Sequence, residues 1–262
     1  MSALKERLFK RLEYPDTASL SVDSAEATIR RWQIIRRKAP LRRIYEEWYT
    51  AIANSIPSGD KPVLELGSGA GFMSSYVENL ITSDILPLPA VDRIIDACAA
   101  LPFDDASLRG IAMVNTLHHL PDVTAFLREA IRSLEPGGKI SMIEPWNTRW
   151  SRVVYGKLHP EPFDPTAASW VFQAVGPLSS ANVALPWIVF LRDQRCFRHH
   201  FPELEITELR LIMPIRYLLS GGVSMRAVAP SWAFGLVTAV ENACRPVMPS
   251  LAMFAHITLS RR

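Results

Sequence analysis

The sequence is poor in cysteine and lacks a long uninterrupted hydrophobic run. Its three cysteines, Cys98, Cys196 and Cys244, are odd in number and have no metal-ligand spacing. Such a set excludes a disulfide scaffold and favours free thiols in a reducing compartment. The apolar stretches 184–191 and 227–240 both contain proline and fall short of the roughly 18 residues that a membrane-spanning helix needs. The sequence therefore predicts a cytoplasmic protein without a membrane span.

The chain also lacks a strong excess of charge of either sign. It has a net charge of +3, with 21% charged and 48% hydrophobic residues among 262. This composition excludes a disordered chain and fits one domain with additions. Lys5, Arg7, Lys10 and Arg11 are not followed by an apolar core, so no secretory signal is expected.

Residues 63–71, Val-Leu-Glu-Leu-Gly-Ser-Gly-Ala-Gly, form the most informative stretch of the sequence. A short aliphatic run, typical of a buried strand, stops at three alternating glycines. Glycine allows a tight turn and lets a ligand lie against the backbone. The N–H groups that begin the following helix would face that ligand. The stretch thus predicts a nucleotide-type pocket at the carboxyl end of a central strand.

The spacing of the glycines selects among such pockets. Dinucleotide-binding folds use Gly-x-Gly-x-x-Gly, and a P-loop would need a following Gly-Lys-Ser/Thr. Here the pattern is Gly-x-Gly-x-Gly, with Glu65 two residues before the first glycine. This motif resembles that of the class I S-adenosylmethionine (SAM)-dependent methyltransferases, methyltransferase type 11-like. The resemblance implies a Rossmann-like, mostly parallel seven-stranded sheet with an antiparallel final strand, and SAM as the cofactor.

Further matches to this family follow along residues 60–146. Asp84 ends a predicted second strand and would accept from the ribose hydroxyls. Asp96-Ala97, followed by Leu101-Pro102-Phe103, resembles the family segment in which the aspartate accepts from the adenine amino group. The resemblance implies a set of cofactor-binding residues that comprises Glu65, Gly67, Ser68, Gly69, Gly71, Asp84, Asp96, Ala97 and Asn115.

Several connections depart from an ordinary α/β pattern. About eight residues join Asp84 to Arg93, too few for a crossover helix between parallel strands. The helix after Gly71 is also expected to be short. Pro136-Gly137-Gly138 predicts a turn from a helix into the fifth strand. Residues 204–219 and 252–259 predict a closing antiparallel edge hairpin.

Two segments outside the motifs are expected to shape the acceptor site. Residues 1–57 predict a helical cap on the methyltransferase domain of residues 58–262, with Tyr45 and Trp48 as a partial lid. The aromatic insertion 146–200 predicts a wall that favours an apolar, lipid-like small molecule. The wall residues are Trp146, Trp150, Tyr155, Phe163, Trp170 and Trp187.

A cluster of basic residues between Arg30 and Arg43 leaves two interpretations open. It is either a solvated face or a contact for an anionic partner, such as a phosphorylated acceptor or a peripheral membrane surface. The basic run is short and the isoelectric point is moderate, so nucleic acid is not expected as a partner.

Two places in the sequence are candidates for a general base. His118 and His119 follow the fourth strand, and His159 and Glu161 lie in a proline-rich loop of the insertion. A base would serve hydroxyl deprotonation, which favours O-methylation over N- or C-methylation. No His, Cys, Asp or Glu cluster has metal-ligand spacing, so no metal is expected. The alternatives are a SAM-binding regulatory or scaffolding protein without turnover and a nucleotide-binding oxidoreductase.

Overall fold

A computed structural model of the chain describes residues 20–21, 23–69 and 71–262. The N-terminal charges of residues 5–11, on which the expectation of no secretory signal depends, lie outside the described residues. Residue 70, which lies between the last two glycines of the glycine motif, is also outside the described residues. The proposed boundary between a cap at 1–57 and a domain at 58–262 stays a prediction.

A seven-stranded sheet forms the centre of the molecule, in the order β3-β2-β1-β4-β5-β7-β6. Neighbours from β3 to β5 pair in parallel, and β7 pairs antiparallel with β5 and β6. The predicted mostly parallel sheet with an antiparallel final strand is confirmed. The strands are β1 Val63–Leu66, β2 Leu80–Asp84, β3 Arg93–Ile94, β4 Leu108–Val114, β5 Leu134–Pro145, β6 Leu204–Ile212 and β7 Phe254–Arg261.

Helices flank this sheet. The α-helices are α1 Ala25–Arg37, α2 Ala39–Ser55, α3 Val123–Ser133, α4 Arg149–Leu158, α5 Leu185–Trp187, α6 Gln194–His200, α7 Arg216–Ser220, α8 Phe234–Ala243 and α9 Met248–Leu251. A π-helical turn at Ile188–Arg192 continues α5, and 3-10 turns lie at Met73–Ser75, Leu117–His119, Ser231–Ala233 and Arg245–Val247. None of the helices in the described ranges is long and apolar enough to cross a bilayer.

Local sequence explains why β1 and α3 form as they do. All four residues of β1 are buried, as expected of a strand covered on both faces of a parallel sheet. Asp122 begins α3 as its N-cap and accepts a hydrogen bond from the Ala125 N–H at 2.9 Å. The helix then buries Phe126 and Leu127 against the central strands. Together these elements fix the carboxyl ends of β1 and β4 side by side.

The connections between β1, β2 and β3 are strongly reduced. After the glycine loop, the expected short helix is only the 3-10 turn Met73–Ser75. Its few free N–H groups cannot form the helix N-terminus predicted to face the ligand, so that part of the prediction is wrong. Between Asp84 and Arg93 the chain forms no helix, as the short spacing predicted.

The C-terminal strands form no edge hairpin. β7 lies inside the sheet between β5 and β6, so β6 is the edge strand. Residues 213–253 join β6 to β7 and contain α7, α8 and α9, which makes the connection long. Gly221 is the left-handed C-cap of α7, with φ of +72°. The sequence pattern identified both strands but not the position of the last one.

The N-terminal helices pack on the sheet and its glycine loop. Trp48 of α2 is 1% exposed, stacks on Tyr217 at 5.9 Å between ring centroids, and contacts Phe254 at 5.0 Å. The prediction that Trp48 forms part of a lid is therefore wrong, because the indole lies in the core. Ser55 at the end of α2 donates to the Ser141 hydroxyl of β5 at 2.6 Å. These contacts hold α2 rigidly against the sheet.

Candidate active site

The glycine loop after β1 is shaped both by packing and by backbone conformation. Gly67 and Gly69 have φ of +68° and +37°, which glycine adopts without strain. A Cβ at Gly67 would lie 2.4 Å from the Thr116 hydroxyl, so the loop after β4 lies directly against this turn. A Cβ at Gly69 would meet nothing closer than 3.4 Å. Gly67 is thus required by the protein, whereas the space at Gly69 can accept a ligand.

Two buried carboxyl groups lie beneath the glycine loop. Glu65 accepts a hydrogen bond from the Ser68 hydroxyl at 2.8 Å, and burial raises its pKa to about 7, with Asp84 adding to the effect. Asp84 accepts from the Gly69 N–H at 3.0 Å and from the Leu86 N–H at 2.9 Å. Burial also raises the pKa of Asp84. The ends of β1 and β2 therefore place two acids against one turn.

The remaining predicted cofactor residues lie at the ends of β3 and β4. Asp96 is exposed and accepts from the Cys98 N–H at 2.8 Å, while Ala97 beside it is 6% exposed. Asn115 has φ of +53°, and its buried side-chain oxygen has no hydrogen-bond partner among the described residues. A buried amide oxygen is costly without a donor. This oxygen thus marks a place where a ligand N–H or O–H fits.

Comparison with known proteins fits this arrangement. Residues 64–142 match the family model of a methyltransferase domain. Over these residues the chain matches the class I SAM-dependent methyltransferases. The matched region begins in β1 and ends in β5, so it contains the glycine loop, both strand-end acids and Asn115. The glycine cradle, the acids and the unpartnered Asn115 oxygen fit SAM, the cofactor of this family.

Individual relatives are similar over part of the sequence or in fold alone. A phthiotriol/phenolphthiotriol dimycocerosates methyltransferase of Mycobacterium tuberculosis is 28% identical over 113 residues, which is 37% of this chain and 42% of that protein. The chain thus covers less than half the length of this relative. Geranyl diphosphate C-methyltransferase from Streptomyces coelicolor A3(2), in complex with Mg²⁺, geranyl-S-thiolodiphosphate and S-adenosyl-L-homocysteine, superposes with a TM-score of 0.51 at 15% identity, covering 92% of this chain and 83% of that one.

A second solved structure has the same fold. A geranyl diphosphate methyltransferase in complex with GPP and sinefungin superposes with a TM-score of 0.50 at 14% identity. The superposition covers 96% of this chain and 88% of that chain. At this identity the likeness concerns the fold and not the acceptor.

Beside the cofactor cradle of this methyltransferase, the loop after β4 carries a buried histidine–carboxylate pair. His118 lies in the 3-10 turn Leu117–His119, and its Nδ1 is 2.7 Å from Glu144 near the end of β5. The other oxygen of Glu144 accepts from the N–H groups of Thr116 and Leu117, each at 2.7 Å. Glu144 therefore fixes both the turn and the imidazole. His118 and Glu144 are 2% and 0% exposed.

The insertion brings a second carboxylate to the other side of His118. Glu161 lies 3.5 Å from His118 Nε2, 3.9 Å from His119 Nε2 and 3.9 Å from His159 Nδ1. The Asn182 N–H donates to the His118 carbonyl at 2.9 Å, which anchors the insertion on this turn. The structure thus brings together all three predicted catalytic residues, in a histidine–glutamate cluster. The cluster consists of His118, His119, Glu144, His159 and Glu161.

The members of the cluster differ in proton affinity because of their surroundings. Burial opposes the charged form of His118, but hydrogen bonds to Glu144 and Glu161 outweigh it and raise its pKa to about 9. Burial and the neighbouring His118 lower the pKa of His119 to about 4. Despite its own burial, Glu161 has a pKa lowered to about 2, chiefly by His118. Partial burial lowers the pKa of His159.

Glu161 pairs more closely with His118 than with His159, its predicted partner. The Glu161 N–H donates to His159 Nδ1 at 3.3 Å. A neutral His159 therefore carries its proton on Nε2. Sequence spacing could not predict the His118 arrangement, because its members are separated by 26 and 43 residues. The position of Glu144 at the end of the fifth strand was the one available signal, since such strand ends meet at one edge of the sheet.

The predicted aromatic wall is only partly present at the cluster. The Tyr155 ring lies 5.6 Å from the His159 ring and 5.7 Å from that of Phe163. Trp146 lies in the main hydrophobic core, against which Trp170 and Trp187 also pack. These positions correct the prediction that Trp146 walls the cleft. The Trp150 indole N–H donates to the Pro214 carbonyl at 2.9 Å.

Proposed function

We propose that this methyltransferase transfers the methyl group of SAM to a hydroxyl group of a small, largely apolar or lipid-like acceptor. The observation that carries the proposal is the buried His118–Glu144 pair beside the glycine loop. A histidine held by a carboxylate is the usual arrangement for removing a proton from a hydroxyl. The M. tuberculosis relative is named for methylation of a lipid, which supports the acceptor class.

We infer that the chain holds SAM with the residues predicted from its motifs. Glu65, Gly67, Ser68, Gly69 and Gly71 would surround the methionine end. Asp84 would accept from the ribose, whereas Asp96, Ala97 and Asn115 would contact the adenine end or its neighbourhood. When bound, SAM supplies an electrophilic methyl group, so the protein must position the acceptor and exclude water.

His118 is the proposed proton acceptor. The neutral form, which predominates above the raised pKa of about 9, donates Nδ1–H to Glu144 and has its Nε2 lone pair on the Glu161 side of the cluster. An acceptor hydroxyl placed between Nε2 and Glu161 would transfer its proton to Nε2. Bound SAM would supply the methyl group and leave as S-adenosylhomocysteine, which keeps the electron pair of the broken carbon–sulfur bond. Glu144 stabilises the imidazolium that forms, as carboxylates do in histidine-based hydrolases. The proton then leaves Nε2 for water, and the Glu161 carboxylate stabilises the imidazolium until it does.

The surroundings of the cluster favour an apolar acceptor. Tyr155 borders His159, Phe163 borders Tyr155, and the Tyr155 hydroxyl donates to the Met253 carbonyl at 2.6 Å. The ring thus presents its apolar face and edge to the cleft rather than its polar atom. This arrangement supports a small molecule that is recognised mainly by buried apolar area.

Other parts of the proposal depend on sequence and surface. The free cysteines Cys98, Cys196 and Cys244 support a reducing, cytoplasmic setting. Exposed Arg37 and Arg43 of α1 and α2 would serve contact with an anionic ligand or a peripheral membrane surface.

The test separates cofactor binding from turnover. Titration calorimetry with SAM measures binding, and a mass shift of 14 Da per methyl group on hydroxylated lipids measures turnover, the 14 being about the mass of CH₂ gained. We expect His118→Ala and Glu144→Gln to lower turnover by about 10²–10⁴-fold, since base catalysis contributes that much. SAM affinity should stay the same, because the base acts on the acceptor.

The exposed His199 provides a matched control, because His199→Ala changes the same residue type away from the cluster. It should leave both quantities unchanged. Normal turnover in folded His118→Ala would rule out His118 as the base. SAM binding without turnover on any acceptor would instead favour a regulatory SAM-binding protein.

A further inference from the structure

We infer that His118, His119 and Glu161 form a binding site for a zinc-like divalent cation, and that this cation inhibits methyl transfer. The binding site stands on geometry alone. The inhibition rests on the proposed function, because it requires His118 to be the base.

The three residues offer a compact donor set. One ligand atom from each lies within 4.8 Å of the other two. Glu161 is 3.5 Å from His118 Nε2 and 3.9 Å from His119 Nε2. Tetrahedral zinc with ligands at 2.0–2.2 Å places them about 3.4 Å apart. Small side-chain rotations would therefore bring all three into coordination distance, with a fourth position left for water.

Both imidazoles are oriented as metal ligands usually are. A ligating histidine commonly gives its other ring N–H to a carboxylate or carbonyl, which fixes the tautomer. Here His118 Nδ1 lies 2.7 Å from Glu144, and His119 Nδ1 lies 3.0 Å from the Ser180 carbonyl. Two separate partners thus leave both Nε2 atoms facing the same carboxylate.

The donor chemistry selects the class of cation. Two imidazoles and one carboxylate suit zinc and related transition metals, whereas magnesium and calcium prefer oxygen ligands. Glu144 adds a second negative charge behind His118 and thereby favours a cation. Co²⁺ takes the same ligands and its visible spectrum reports their number, so it serves as the probe beside Zn²⁺.

Binding of the cation would block the base. Ligation occupies the Nε2 lone pair of His118, which the acceptor hydroxyl needs for its proton. The cation and a productively bound acceptor therefore exclude each other. This predicts inhibition that is competitive with the acceptor and has no effect on SAM binding.

The experiment measures binding and inhibition separately on the full chain. Co²⁺ titration followed by visible absorption, and Zn²⁺ titration by calorimetry, should give one site per chain in metal-free protein. His119→Ala removes one ligand, and Glu161→Gln weakens another at a partly exposed position, so both should weaken binding more than 10-fold. Glu144→Gln removes an outer contact and should weaken it by about 10–100-fold.

Cys196 provides the control, because its thiol lies 3.4 Å from His200 and this exposed pair could also take up zinc. Cys196→Ser should retain the titration of the cluster site. Loss of binding in Cys196→Ser, or unchanged binding in both His119→Ala and Glu161→Gln, would overturn the site. Binding that depends on His119 supports the site even in protein without turnover, and bound Zn²⁺ that leaves turnover unchanged would overturn the inhibitory role.

Discussion

Replacement of Glu65 by glutamine should reduce the fall in the free energy of unfolding that accompanies rising pH. The carboxyl is 4% exposed, and burial raises its pKa from 4.5 to about 7. Folded protein thus holds a proton that the unfolded chain releases above pH 4.5, so the free energy of unfolding falls between pH 4.5 and 7. At about 1.4 kcal/mol per pH unit, this fall is on the order of 3 kcal/mol. Glu65→Gln cannot ionise and should not show it.

Urea unfolding of both proteins at pH 4.5, 6 and 7.5 tests this reasoning. The stability of Glu65→Gln relative to wild type should increase across the series and then level off. Glu78→Gln, at an exposed glutamate, controls for the substitution itself. A difference between Glu65→Gln and wild type that stays constant from pH 4.5 to 7.5 would refute the idea that burial keeps this acid protonated.

The remaining predictions concern cofactor binding, metal and stability. Gly69→Val should abolish SAM binding in calorimetry while urea unfolding stays cooperative, because the added side chain enters the open space of the loop; unchanged affinity would contradict the cradle. Asp96→Ala should weaken SAM by about 1.5–3 kcal/mol in the same titration, as for a hydrogen bond to a charged group, and an unaltered Kd would remove Asp96 from the site. Treatment with EDTA should not reduce turnover, and activity regained only on adding Mg²⁺ or Zn²⁺ would refute a metal-free reaction. Glu241→Ala should cost about 1–3 kcal/mol in unfolding experiments, since the N–H groups of Ile215 and Arg216 lose their buried acceptor while the Arg216 side chain keeps Glu47; a loss below about 1 kcal/mol would show that water replaces the carboxylate.

Sequence reasoning predicted the part of the fold that local patterns specify. The aliphatic run before the glycines and the strand-end acids each have a local cause, and the sheet they predicted is present. The turn predicted at Pro136-Gly137-Gly138 is wrong, because these residues lie inside β5, with Gly137 at φ of +82°. No local pattern specifies the order of β6 and β7 in the sheet. Both strands alternate in polarity, and the long segment between them would allow either strand to lie at the sheet edge. Trp48 was misplaced for a related reason. A helical stripe predicts a buried face but does not name its partner, here Tyr217 and Phe254.

The candidate site was predictable residue by residue but not as an assembly. His118, His159 and Glu161 were each selected for their chemistry and position after a strand or in a loop. Their partners depended on how the insertion folds back, which the hydrogen bond from the Asn182 N–H to the His118 carbonyl fixes. No sequence spacing encodes that contact. The donor set of His118, His119 and Glu161 is therefore visible only in the three-dimensional structure.

The reduced connections of β1, β2 and β3 have a consequence for motion. In the described ranges only a 3-10 turn and loops join these strands, and Ile94 of β3 is 64% exposed. A sheet edge with few packed helices is where local unfolding is least costly, so its amides should exchange hydrogen faster than those of β4 and β5. The acids that would hold SAM lie in or directly after these strands. Cofactor binding should then slow exchange there first, which makes SAM part of what keeps this edge folded.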